Sequence, residues 1–103
     1  MRNSSKKVFL IIAVLSIGFI STSVPALGQT RAEIRRSREL ADQGNQSYRA
    51  KNYKAATEFY AQAITLVPSN PQLYFFKADA HSRLKEYAAA ERDFQLSLNQ
   101  GYK

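Results

Sequence analysis

Cysteine and tryptophan are absent from this chain, and one histidine, His81, stands among its 103 residues. Without cysteine there is no disulfide framework and no thiol nucleophile. A bacterial lipid anchor built on a cysteine just after the leader is excluded too. A single histidine rules out multi-histidine metal sites and cysteine–histidine catalysis. On a helix beside aromatic neighbours, such a histidine reads as a packing or surface residue. No glycine-rich phosphate loop occurs, and no alternating strand pattern is found. The acids are scattered. Glu91 and Asp93 are two apart and point to different helix faces, while Glu39 and Asp42 lie close enough to Arg35, Arg36 and Arg38 to make ordinary surface pairs. The expectation is a protein that is not an enzyme, with no cofactor and no metal.

The charge is one-sided. The net value is +7, of which Arg2, Lys6 and Lys7 supply three with no acid beside them. Much of the remainder sits in Arg31, Arg35, Arg36 and Arg38. That cluster suits an acidic partner or an anionic membrane surface, or is a solvated helix face. No nucleic-acid recognition motif is present, and an exported chain seldom meets nucleic acid, so no nucleic-acid partner is expected.

Export is read from the first residues. The basic start precedes an apolar run from Val8 to Ile20, then polar Ser21-Thr22-Ser23, then Val24-Pro25-Ala26-Leu27-Gly28. This is the layout of a signal peptide, with a cut at Gly28/Gln29, or second after Ala26. The apolar run is short of the roughly 20 residues a membrane span needs. The alternative is an uncleaved anchor that uses Ile17 to Val24 and tilts. In either case the repeats face outward, so the chain is expected to be secreted or periplasmic, with membrane contact only if the leader stays.

Residues 37–103 contain one pattern twice, 34 residues apart. Leu40, Gly44, Tyr53, Ala56, Tyr60, Ala63 and Pro68 stand in the first copy. Tyr74, Ala78, Tyr87, Ala90, Phe94 and Ser97 occupy the same register in the second, followed by Gly101-Tyr102. Arg49/Arg83, Lys51/Lys85, Tyr53/Tyr87, Ala55/Ala89 and Ala56/Ala90 are identical between copies. A period of this length indicates stacked helix–turn–helix units. Apolar residues over 31–50 recur at helical spacing. Gly44 costs helix stability, so its place asks for close packing. Phe59, Tyr60, Ala63, Ile64, Leu66 and Val67 make a second helix, broken at Val67-Pro68-Ser69-Asn70-Pro71. There Pro68 stops the helix, Asn70 caps the next one and Pro71 suits its first position. Leu73, Tyr74, Phe76, Ala80 and Leu84 belong to a third helix and Ala88 to Leu98 to a fourth.

These residues resemble the tetratricopeptide repeat, which has small residues at positions 8, 20 and 27, aromatics near 11, 17 and 24, and Pro at 32. With Ser37 and Pro71 each as position 1, the two copies fall in register. Gln43 and Lys77 depart from the usual apolar residue, Ser47 and His81 from the usual aromatic, and Tyr102 from Pro. The resemblance implies an all-α helix–turn–helix repeat array, an α-solenoid of two repeats and about four helices. The expected layout is a signal peptide over 1–28, the start of the first helix over 29–36, and repeats over 37–70 and 71–103. It also implies a groove that binds a protein or peptide partner. The groove positions fall on Arg38, Ala41, Asn45, Tyr48 and Arg49, and on Gln72, Phe75, Asp79, Ser82 and Arg83. Of these Arg38, Asn45, Tyr48, Arg49, Phe75, Asp79, Ser82 and Arg83 are the candidate partner-binding residues. The carboxylate clamp of one family branch is not supported, because Asn45 matches it and Ala41 does not.

Two repeats bury limited surface. Phe94, Leu96 and Leu98 on the fourth helix are expected to lack a covering neighbour, leaving an open edge for a partner or a second copy. Adaptor or assembly factor is therefore the leading reading. A self-associating structural repeat, a homo-oligomer through the fourth helix, and a membrane-anchored subunit of an envelope complex are the alternatives.

Overall fold

A computed structural model describes residues 29–102, and the leader expected over 1–28 lies outside the described residues. Four helices follow one another: α1 (Arg31–Arg49), α2 (Tyr53–Leu66), α3 (Pro71–Arg83) and α4 (Tyr87–Asn99). Among the described residues there is no strand. Packing joins α1 to α2, α2 to α3 and α3 to α4, so two helical hairpins stack through α2 and α3.

Local chemistry sets the helix ends. Thr30 accepts from the Glu33 N–H at 3.1 Å while the Glu33 carboxylate accepts from the Thr30 N–H at 3.3 Å. This reciprocal cap starts α1 at Arg31. Asn52 and Asn70 accept from the N–H groups of Ala55 and Gln72, opening α2 and α3, and Pro71 takes the first turn of α3, where its missing N–H costs nothing. Three helices end alike. After α1, the N–H of Lys51 reaches Tyr48 O and that of Asn52 reaches Ser47 O. After α3, Lys85 reaches Ser82 O and Glu86 reaches His81 O. After α4, Gly101 reaches Leu98 O and Tyr102 reaches Ser97 O. These paired bonds form a closing turn that needs positive φ at its first residue outside the helix. Lys51 and Lys85 both stand at φ 63° and Gly101 at 98°. Leu84 is therefore the cap of α3 rather than part of it.

The core has two parts. Leu40, Ala63 and Leu73 gather Ala41, Phe59, Ile64 and Leu66 around them; Ala56, Tyr60 and Ala80 gather Tyr48 and Phe76. Gly44 explains the close approach of α1 to α2. A Cβ placed there would lie 2.7 Å from Cε1 and 2.8 Å from Cδ1 of the Tyr60 ring.

Each hairpin is also pinned by a serine, from opposite sides. In the first, Ser37 on α1 donates to the Ala63 carbonyl on α2 at 2.9 Å. In the second, Ser97 on α4 donates to the Pro71 carbonyl on α3 at 2.8 Å. Ser37 and Pro71 are equivalent positions, as are Ala63 and Ser97.

The second hairpin carries a polar cluster. Asp93, buried to 4% exposure, faces Lys77 Nζ at 3.5 Å and His81 Nε2 at 3.6 Å, and His81 Nδ1 lies 3.1 Å from Glu86 Oε1. The matching residues of the first hairpin are Phe59, Gln43, Ser47 and Asn52. The departures at Lys77 and His81 are thus answered by an acid where the first copy has Phe59. Glu86, turned to His81, makes no side-chain cap on α4.

Candidate functional site

A cleft of about 200 Å³ opens between α1 and α3, with α2 as its floor. The registers that bury Leu40 and Gly44 toward α2 leave Asn45, Tyr48 and Arg49 on the cleft side of α1. Asn45, Tyr48, Arg49, Tyr60, Phe75, Phe76 and Asp79 line it. The Tyr60 hydroxyl donates across its floor to Asn45 Oδ1 at 2.6 Å. The Tyr48 hydroxyl donates to Asp79 Oδ2 at 2.7 Å, and Arg83 Nε donates to the same hydroxyl at 3.2 Å while lying 3.9 Å from Asp79 Oδ1. The Arg83 guanidinium also sits 6.0 Å from the Tyr48 ring centre, the range of a cation–π contact.

The cleft acts on its phenols. Burial, then the neighbouring Tyr48 and Asp79, push the Tyr60 hydroxyl from its ordinary 10.0 up to about 12. Tyr48 is raised as well, chiefly by its hydrogen bond to the Asp79 carboxylate, which a phenolate would lose. Both tyrosines therefore stay protonated donors at neutral pH, and the cleft offers fixed donors, an acid, and aromatic faces.

Five of the eight residues expected to bind a partner, Asn45, Tyr48, Arg49, Phe75 and Asp79, line this one cleft, and Arg83 is bonded to it. Arg38 and Ser82 do not line it: Arg38 is exposed further along α1, and Ser82 is half-buried. Phe75 and Phe76 are both half-buried and divide the work. Phe76 packs toward Tyr60 at 5.8 Å, and Phe75 meets Phe94 at 5.4 Å. Phe94 is thus covered within the chain, contrary to expectation. Tyr102 also stacks on Phe75 at 4.8 Å with the rings 3° from parallel. The closing turn of α4 aims it there. Leu96 and Leu98 do remain 37% and 59% exposed.

Tyr60 and Phe76 are cleft residues that the sequence presents only as members of the second and third helices, and Tyr102 reads as a departure at position 32. The Gly101-Tyr102 pair, a glycine followed by an apolar ring, was the available signal for that fold-back. Among the described residues no group of acids and histidine is placed to hold a metal ion, and no helix is long and apolar enough to cross a membrane.

No protein-family model matches the chain. Small glutamine-rich tetratricopeptide repeat-containing protein beta of Homo sapiens is 36% identical over 74 residues, which is 72% of this chain and 22% of the relative. Over these residues the chain is similar to a tetratricopeptide-repeat-containing protein, in keeping with its two stacked helical hairpins. Small glutamine-rich tetratricopeptide repeat-containing protein 2 of Saccharomyces cerevisiae is 36% identical over 64 residues, 62% of this chain and 18% of the relative. Human serine/threonine-protein phosphatase 5 is 40% identical over 60 residues, 58% of this chain and 12% of the relative. The chain thus matches about a fifth or less of the length of each of these proteins.

Proposed function

We propose that this chain is an exported interaction module that holds a protein or peptide partner in the cleft between α1 and α3, as an adaptor or assembly factor. The observation that carries the reading is the convergence of Asn45, Tyr48, Arg49, Phe75 and Asp79 on one cleft whose polar groups are already oriented by bonds to one another. Preorganised donors and aromatic faces lower the ordering cost of binding. Export is supported by the basic start and apolar run of residues 1–28. Catalysis is not part of the proposal.

The test is site-specific photo-crosslinking in cells that express the full chain, with the probe at Ser82 beside the cleft and at Glu91 on α4. A discrete adduct from Ser82 that is absent from Glu91 supports the cleft; adducts from Glu91 alone refute it. The intact mass of the recovered protein reports whether residues 1–28 have been removed.

A second reading rests on exposed Leu96 and Leu98: self-association through α4. Light scattering across a concentration series distinguishes it, since a dimer grows with concentration and a monomer at all concentrations ends that reading.

A further inference from the structure

The cut expected at Gly28/Gln29 makes Gln29 the first residue of the exported chain. Gln29 and Thr30 are exposed and stand ahead of α1, outside any helix. Thr30 is extended, at φ −76° and ψ 162°, and its N–H and hydroxyl both donate to the Glu33 carboxylate, at 3.3 and 3.0 Å. The Ile34 N–H closes on the Thr30 carbonyl at 3.0 Å. The start of α1 therefore hangs on Thr30, and only Gln29 stands between that residue and the cut.

A glutamine in first position carries an amine and a carboxamide that can meet. Its α-nitrogen reaches its own Cδ by rotation about bonds of Gln29 alone, and exposure leaves that rotation free. An α-amine titrates close to neutral pH, so a share of it is unprotonated there and nucleophilic. The place adds a drive. An ammonium at Gln29 would stand at the positive end of the α1 dipole, ahead of exposed Arg31 and Arg35, so its loss is favourable. The acid of the first turn, Glu33, is already engaged by Thr30.

We propose that Gln29 cyclises to a pyroglutamyl lactam once residues 1–28 are removed. The α-nitrogen attacks Cδ, the N–Cδ bond forms, the Cδ–Nε2 bond breaks, and one amine proton leaves with Nε2 as ammonia. No co-reactant is consumed. This rests on the export reading with the cut at Gly28/Gln29, and adds a covalent block at the new terminus. The Gln29 peptide carbonyl and the Thr30 N–H take no part, so the cap on α1 is kept. Exposed termini are where proteolytic trimming concentrates. Without a free amine an aminopeptidase has no first residue to remove, and Thr30 is shielded. A cut after Ala26 would leave Leu27 first, which cannot cyclise.

The experiment recovers the protein from cells that express the full chain and labels its free amines by reductive methylation. Intact mass is read before labelling, and the tryptic peptide 29–31 after it. Labelling ahead of digestion keeps cyclisation during digestion out of the result. The expected result is a chain from Gln29 that lacks the mass of one ammonia, with peptide 29–31 unlabelled. The variant Gln29→Ala should start at the same position and take the label. Added aminopeptidase should then trim the variant through Thr30 and lower its melting temperature, leaving the parent unchanged. A parent chain that begins at Gln29 with a labelled amine overturns the lactam and leaves export standing. So does a parent already trimmed to Thr30 or beyond, and so does an unlabelled Gln29→Ala, whose block would not be a lactam. A start at Leu27 overturns the lactam and the cut, with export intact. Retention of residues 1–28 overturns the lactam together with the cleavage on which it rests.

Discussion

The Tyr48 hydroxyl on α1 donates to the Asp79 carboxylate on α3 at 2.7 Å, joining the two repeats across the cleft. The arrangement follows from one missing atom. Asn45 and Asp79 are equivalent positions, and Asn45 accepts from Tyr60 of its own hairpin. The equivalent of Tyr60 in the second hairpin is Phe94, which has no hydroxyl. Asp79 therefore bonds to the preceding repeat, and the two units are coupled by a phenol–carboxylate bond in addition to apolar packing. A bond with a charged acceptor contributes about 1.5–3 kcal/mol. Partial exposure places this one at the lower end. A double-mutant cycle of Tyr48→Phe and Asp79→Asn, read by thermal melts, should show coupling of about 1 kcal/mol or more. Purely additive losses would mean that the bond contributes nothing.

Gly44→Ala tests the close approach of α1 and α2. Alanine is the better helix former by about 1 kcal/mol. The new Cβ would meet the Tyr60 ring at 2.7 Å, and that ring cannot yield cheaply, being 2% exposed and held by Asn45. Overpacking of this kind costs about 1–3 kcal/mol. The expected outcome is a net loss, seen as a melting temperature lower by several degrees. A rise would show that α1 shifts freely.

Lys51 and Lys85 occupy the left-handed region at φ 63°, where a side chain is strained by about 1 kcal/mol. Lys51→Gly and Lys85→Gly should each stabilise the fold by about 0.5 kcal/mol after the extra freedom of the unfolded glycine chain is counted. The sites are 34 residues apart and share no partner, so the double variant should sum the two within about 0.5 kcal/mol. Chemical denaturation measures all three proteins.

Alkaline pH should loosen the fold through Tyr60. Its folded pKa lies above the unfolded one, about 12 against 10.0, so the folded state binds more protons in that window. Stability is full below the unfolded value and falls as pH rises through the folded one. Tyr48 and Tyr74 are raised too, Tyr74 chiefly by burial, and add to the same fall. Denaturant midpoints between about pH 9 and pH 12 should decline, and Tyr60→Phe should show a shallower decline from a lower starting value.

The helices were legible because their signals are local and repeat: Asn70 and Pro71 open α3, and the small residues at 44, 56 and 63 mark contacts that the tyrosines fill. The Thr30–Glu33 cap was equally local and falls outside the repeat, where attention to the period passes over it. The bonds across the cleft were not legible. Which acceptor Tyr48 finds depends on Phe94 lacking an oxygen, a relationship between residues 46 positions apart. Phe94 itself looked uncovered because the ring it meets, Phe75, lies on α3, a pairing between helices that no local signal marks. The acid answering Lys77 and His81 was likewise hidden, since pairing across α3 and α4 needs the helix faces to be known.

The serine pins have a consequence for modularity. Each hairpin uses one hydroxyl, contributed by the leading helix in the first and by the trailing helix in the second. If α1 and α3 exchanged places, one hybrid hairpin would hold both Ser37 and Ser97, and the other would set Pro71 against Ala63 with no hydroxyl at all. The two units share a shape without being interchangeable parts, and a chimera assembled by period alone would have one over-pinned joint and one loose one.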